Sequence, residues 1–221
     1  MADSKIKIFI NGEGGPLIIL GASEHNADTA QSVFNLIKES APERPFVLAS
    51  FAASDWDSSF SPWPSNDGRF RGEGEKTLDE IKGLIDGELR EYAGQKIFMT
   101  GYSLAGLFSL WSLYASEMFD GCACCSGSLW FEGWTDFAEK TQIRKKGLVY
   151  ISLGGKEEKT KDSVMATIGD ATRQQDKILE KDPNVKKKTL VMNPGGHFSS
   201  PDKRLAKGII WLLENCDEID S

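Results

Sequence analysis

Ser103 stands at the centre of Gly101-Tyr102-Ser103-Leu104-Ala105-Gly106, and only two histidines, His25 and His197, are available to activate it. A serine hydroxyl is a poor nucleophile until a base lies within hydrogen-bond reach, and that base needs a third, acidic group to orient it. The surroundings of Ser103 suit this chemistry. A β-prone run, Lys96-Ile97-Phe98-Met99-Thr100, leads into the turn, and a strongly apolar, helix-forming run leaves it. A serine between a strand end and a helix start sits on a strained backbone with its hydroxyl lifted clear of its neighbours. The residues two before and two after it must be small, because strand and helix nearly touch there. Gly101 and Ala105 meet that requirement.

His197 closes the loop Asn193-Pro194-Gly195-Gly196-His197-Phe198, after the last expected strand. In a parallel α/β sheet that loop lies at the carboxyl edge, where Ser103 also sits. His25 follows an early strand and would line the same crevice. Paired with Asp55 or Asp57 it would give the order His–Asp–Ser, but that arrangement needs an all-β framework and Ser103 opens a helix. His197 is therefore the expected base. The acid should come between serine and histidine, after a strand ending at the same edge. Val149-Tyr150-Ile151-Ser152-Leu153-Gly154-Gly155-Lys156-Glu157-Glu158 supplies it, with Glu157 first, Glu158 the alternative and Asp162 third. Spacing does not separate the two adjacent glutamates. Donors for a developing oxyanion are expected from backbone amides, that of Leu104 at the helix start and one in Gly21-Ala22-Ser23, at Ala22 or Ser23.

The pattern of elements supplies a frame for these residues. Strands are expected over 5–10, 16–20, 45–51, 96–100, 119–126, 147–153 and 189–192. Helices are expected over 28–38, from a Thr77/Glu80 capping box towards Gly94, and over 104–114, 163–181 and 200–215. The 5–10 and 16–20 runs flank Asn11-Gly12-Glu13-Gly14-Gly15, which predicts an N-terminal antiparallel hairpin. From Pro16 onward strands alternate with helices, which predicts a mostly parallel sheet with helices on both faces. The fold class is thus α/β, a three-layer α/β/α sandwich in one domain over 1–221 with no separate lid domain.

The chain has 221 residues, enough for one well-buried core. Its formal charge of −7 disfavours nonspecific binding to nucleic acid or an anionic membrane. Lys186-Lys187-Lys188 reads as a solvated strand entrance. No long apolar run reaches the length of a bilayer span, and no N-terminal leader pattern is present, so a cytoplasmic location is expected. Cys122, Cys124, Cys125 and Cys216 read as reduced thiols, three of them buried in one strand. No metal or organic cofactor is implied.

Residues 52–76 are rich in Ser, Gly and Pro yet carry Trp56, Phe60, Trp63 and Phe70, which predicts a long ordered loop. A second aromatic loop holds Trp130 and Trp134. Trp56, Trp63 and Trp130 are expected near the site as an apolar wall, with His25, Ser23 and Arg71 as polar contacts.

With these residues in place, Gly101 to Gly106, the glycine-then-glutamate turn from Gly154 to Glu157, and Gly196-His197 in that order resemble an α/β-hydrolase serine esterase. Ser126-Gly127-Ser128-Leu129-Trp130 and Ser61-Pro62-Trp63 are similar to the branch that includes esterase D and enterochelin-esterase-like proteins. The resemblance runs through the chain from Pro16, departing at Ala105, where the family more often has glycine, and in its short length. It implies a carboxylic ester hydrolase working on a small-molecule ester through an acyl-enzyme. The same machinery also serves acyl transfer to other acceptors and the cleavage of thioesters or peptides, and the fold occurs in proteins that only bind.

Overall fold

A computed structural model of the chain describes residues 6–23, 27–92 and 94–220. Its strands are β1 (Ile6–Asn11), β2 (Leu17–Ser23), β3 (Phe46–Ala53), β4 (Ile97–Tyr102), β5 (Gly121–Cys125), β6 (Gly147–Gly154) and β7 (Val185–Asn193). Between and after them run α1 (Ala27–Ser40), α2 (Trp56–Ser59), α3 (Gly74–Asp86), α4 (Leu104–Ala115), α5 (Trp134–Lys140), α6 (Ile168–Lys181) and α7 (Pro201–Asn215). The seven strands among the described residues form one sheet in the order β1-β3-β2-β4-β5-β6-β7, parallel throughout except for β1.

The expected hairpin is corrected in one respect. β1 is antiparallel, but its partner is β3, with Ile6 opposite Phe51 and Asn11 opposite Phe46. β2 cannot accept it, because β3 and β4 already occupy both its edges. The burial of the two strands fits these places. β2 is buried from Leu17 to Ala22, as a central strand must be, whereas β1 exposes Ile8 and Ile10 at the sheet margin.

Side chains alternate across the sheet and build two apolar layers. Ile18, Leu20, Leu48, Phe98, Ala123 and Tyr150 pack against α1 and α7, through residues such as Val33, Ile37, Ile209 and Leu212. Ile19, Ala49, Met99, Cys122, Val149 and Ile151 pack against α3, α4 and α6. The result is the expected α/β/α sandwich. α4 is buried on all sides from Leu104 to Tyr114, consistent with its uninterrupted apolar sequence. No described helix is long and apolar enough to cross a membrane.

Several element boundaries differ from expectation. α3 begins at Gly74, not Thr77, whose amide already bonds to the Glu73 carbonyl inside the first turn. Gly74 lies so close to the 52–76 loop that a Cβ there would stand 2.9 Å from the Ser61 carbonyl oxygen, which anchors the helix start to that loop. β7 starts at Val185 and takes the lysine triplet into the outermost strand. Lys187 is paired there with Asn215 and Glu218, and Lys188 with Asp176. Cys122, Cys124 and Cys125 are buried free thiols in β5, and Cys216 is partly exposed.

Candidate active site

Ser103 is held between β4 and α4 with φ 57° and ψ −121°, a backbone region that costs a non-glycine residue on the order of 1–3 kcal/mol. Three backbone hydrogen bonds hold it there. Its amide donates to the Cys125 carbonyl at 3.1 Å, and its carbonyl accepts from Ser128 at 3.0 Å and Leu107 at 3.1 Å. The requirement for small neighbours is met with no room to spare. A Cβ on Gly101 would lie 2.2 Å from the Ala105 carbonyl oxygen, and one on Gly21 would lie 3.1 Å from the Ala105 methyl. Gly101→Ala is accordingly expected to cost about 3 kcal/mol, since backbone rather than a flexible side chain must move. The measurement is urea unfolding, where the midpoint should fall and the slope stay constant; an unchanged midpoint would contradict so tight a crossing.

The loops after β6 and β7 bring the other residues to Ser103. His197 Nε2 lies 3.1 Å from Ser103 Oγ, and His197 Nδ1 lies 2.7 Å from Glu157 Oε2. A carboxylate can only accept, so Nδ1 carries the proton and Nε2 is left to accept from the serine hydroxyl. Glu157 is 8% exposed, and its other oxygen accepts from Ser126 Oγ at 2.8 Å, the Gly154 amide at 2.7 Å and Arg204 Nη1 at 2.8 Å. Burial by itself would raise the Glu157 carboxyl; the hydrogen bonds from His197, Ser126 and Gly154 outweigh it and hold the group below its ordinary value.

The structure thus brings together Ser103, His197 and Glu157, and it separates the alternatives from them. Glu158 faces Arg173, 3.0 Å away. Asp162 accepts from the amides of Val164 and Met165. Asp55 caps α2 through Ser58, and Asp57 pairs with Arg69. His25 lies outside the described residues.

Three further residues surround the site that the chain's order did not point to. Ser126, in the left-handed region at φ 45°, turns its hydroxyl onto Glu157 immediately after β5. Tyr102 donates its hydroxyl proton to the His197 carbonyl and accepts from Arg204 Nη1 at 3.0 Å. Arg204 is 3% exposed, on the face of α7 that also buries Leu205, Gly208 and Leu212. An arginine on an otherwise apolar helical stripe was the available sign of it.

A pocket of about 360 Å³ opens beside the Ser103 hydroxyl. Leu20, Gly21, Ala22, Thr29, Trp56 and Phe198 are among its walls, and none of its described lining residues carries an acidic or lysine/arginine side chain. Of the expected wall residues, Trp56 is in place. Trp63 and Trp130 are not. Trp63 gives its indole N–H to the Glu132 carbonyl and stacks on Trp134, while Trp130 packs against Phe70, so both hold the two aromatic loops together. The second aromatic loop continues directly into α5 at Trp134. Arg71 is exposed, forms an isolated bridge with Pro64 and is absent from the pocket lining. Leu104 opens α4, so its amide is among the first-turn N–H groups that lack an intrahelical acceptor. Ala22 lies one residue past the last β2–β4 pair, Gly21 with Gly101, and faces the same pocket; Ser23 follows at the end of β2.

The sequence matches no protein-family model and no curated protein. Solved structures do share its architecture. An IroE-like serine hydrolase from Shewanella oneidensis aligns over 95% of this chain and 75% of its own with a TM-score of 0.78 at 16% identity. Siderophore hydrolase EstB from Aspergillus nidulans aligns over 97% of both chains with a TM-score of 0.68 at 15% identity. The enterobactin esterase FES from Shigella flexneri has a TM-score of 0.64 at 16% identity, over 96% of this chain and 55% of its own. At these identities the likeness is one of architecture, and the architecture this chain shares with them is the α/β-hydrolase fold.

Proposed function

We propose that the chain is a serine hydrolase that cleaves carboxylic esters through an acyl-enzyme. The observation that carries this reading is the unbroken hydrogen-bond chain from Ser103 through His197 to a buried Glu157, with the serine on a strained turn at the mouth of a pocket. Ser103 Oγ attacks the ester carbonyl carbon as its proton passes to His197 Nε2. Glu157 holds the ring in the productive tautomer and stabilises the imidazolium that forms. The tetrahedral oxyanion is held by the Leu104 amide and an amide at Ala22 or Ser23. Its collapse expels the alcohol, which takes the proton from His197. Water, activated by the same imidazole, then releases the acid and restores Ser103.

The pocket supports a substrate with a neutral, apolar group of modest size, since Leu20, Trp56 and Phe198 wall it and its described lining offers no counter-charge. The neighbouring structures include siderophore hydrolases, which makes siderophore-like esters a natural comparison within a substrate panel. The test is labelling with a fluorophosphonate probe, followed by p-nitrophenyl esters of graded acyl length and aromaticity. Uncharged acyl groups that fit the pocket are expected to turn over fastest, and esters carrying a carboxylate on the acyl group at least tenfold more slowly in kcat/KM, about 1.4 kcal/mol of lost transition-state binding. Folded protein that takes no probe and cleaves no ester would instead support a hydrolase fold used only for binding.

A further inference from the structure

The buried guanidinium of Arg204 reaches further than the acid it neutralises. Its Nη1 lies 2.8 Å from Glu157 Oε1, 2.8 Å from Ser126 Oγ and 3.0 Å from the Tyr102 hydroxyl. Its Nη2 lies 2.8 Å from the Gly196 carbonyl oxygen and 3.1 Å from that of Pro194. These acceptors belong to separate stretches of chain. Tyr102 immediately precedes Ser103 at the end of β4, Glu157 follows β6, and Pro194 and Gly196 form the loop after β7 that ends in His197. Every segment that carries a member of the Ser103–His197–Glu157 chain is therefore tied to one planar group.

A guanidinium presents five donors in a fixed fork, so acceptors bound to it are fixed relative to one another. The histidine loop receives two of these bonds. Gly195 is at φ +89°, and no atom outside the immediate chain neighbours lies within 4 Å of where a Cβ on Gly196 would stand. Backbone contacts also hold this loop, the Lys156 amide on the Gly195 carbonyl at 3.0 Å and the Ser199 amide on that of Gly196 at 3.1 Å; to these Arg204 adds bonds to the Pro194 and Gly196 carbonyls, and the Tyr102 hydroxyl one to the His197 carbonyl. Neutralising Glu157 would require only a positive charge. The five contacts, spread over the site's loops, call for the shape of arginine.

We infer that Arg204 is a positioning residue that keeps the base and the acid in register with the nucleophile, an inference that rests on the serine-hydrolase reading. It acts through other residues and does not line the pocket.

Arg204→Lys is the decisive variant, because it keeps a positive charge beside Glu157 yet offers a single ammonium that cannot span all the loops. Active sites are counted by burst titration with p-nitrophenyl acetate, so that misfolded protein does not enter the rate. Per titrated site, kcat is expected to fall on the order of 10–100-fold, the usual result of displacing a catalytic group by about 1 Å. KM should stay within about twofold, since the pocket walls are untouched. Arg204→Met, which removes both charge and fork, should fall at least as far. Wild-type kcat per titrated site in Arg204→Lys, with a reduced denaturation midpoint alone, would mean a structural role and overturn the inference.

A second readout does not depend on turnover. With only two histidines in the chain, ¹⁵N-labelled histidine gives a simple spectrum in which the His197 Nδ1 proton can be followed. That proton should be protected from solvent exchange in the wild type and in Ser103→Ala, and lost to exchange in Arg204→Lys. Its persistence in Arg204→Lys would overturn the inference. If the wild type cleaves no ester, the hydrolase reading fails while this comparison still decides the role of Arg204.

Discussion

Ser103→Ala is expected to lower kcat for p-nitrophenyl esters by roughly 10⁵- to 10⁶-fold and to abolish fluorophosphonate labelling. The expectation follows from the division of labour in the site. The 2.7 Å bond between His197 and Glu157 does not involve the serine side chain, but in the variant the atom that would form the acyl bond is gone. Ser128, whose hydroxyl stands 3.4 Å from that of Ser103, is no substitute. It has no bond to the imidazole among the described contacts, and it does not sit at the start of a helix. The pocket walls are unaffected, so KM for any residual reaction should change little. Hydrolysis within tenfold of wild type would remove Ser103 from the mechanism, whereas a catalytically dead variant that still binds a substrate analogue would separate binding from chemistry.

Glu157→Gln should lower kcat by roughly 10⁴-fold, and Glu158→Gln by less than about twofold, measured on the same ester. A glutamine amide can turn its NH₂ towards Nδ1 and stabilise the wrong tautomer, which leaves Nε2 protonated and unable to act as base. It also cannot stabilise the imidazolium. Glu158 is paired with Arg173 at the surface, away from the ring. The reverse ranking of the two variants would reassign the acid. A pH effect accompanies this. The Glu157 carboxyl is held below its ordinary value of 4.5 in the folded protein, so its contribution to stability is present above that pH and is lost as pH falls through the depressed value. Stability measured from pH 6 downward should therefore decline less steeply in Glu157→Gln than in the wild type.

How far the sequence revealed these features depended on whether they were local. The strand–turn–helix around Ser103 was legible because its determinants, Gly101 and Ala105, lie within two residues of the serine. That His197 would come near Ser103 could be expected because the chain has so few histidines and two glycines precede it. Glu157 and Glu158 could not be separated, because adjacent residues after a strand differ only in which way the short 3₁₀ turn at Glu157–Lys159 points them. The partner of β1 was missed for a different reason. A glycine-rich turn between two apolar runs favours a hairpin locally, but the unbroken apolar stretch of β2 already marked a central strand whose two edges would be filled by others. Trp63 and Trp130 looked like substrate contacts by type alone. Their contacts with residues distant in sequence, Trp134 and Phe70, are what fix them as the cement between loops.

The position of the lysine triplet bears on how the molecule behaves in a crowd. β7 is the outermost strand at one end of the sheet, and the outer edge of such a strand offers unpaired amides and carbonyls onto which another copy could add. Lys186 is exposed there, while Lys187 and Lys188 are paired with Asn215, Glu218 and Asp176 of the same chain. A second copy approaching there would have to bring its own Lys186 alongside this one. Residues that read as a solvated strand entrance thus put charge on an edge strand, a feature that disfavours the addition of a further strand there.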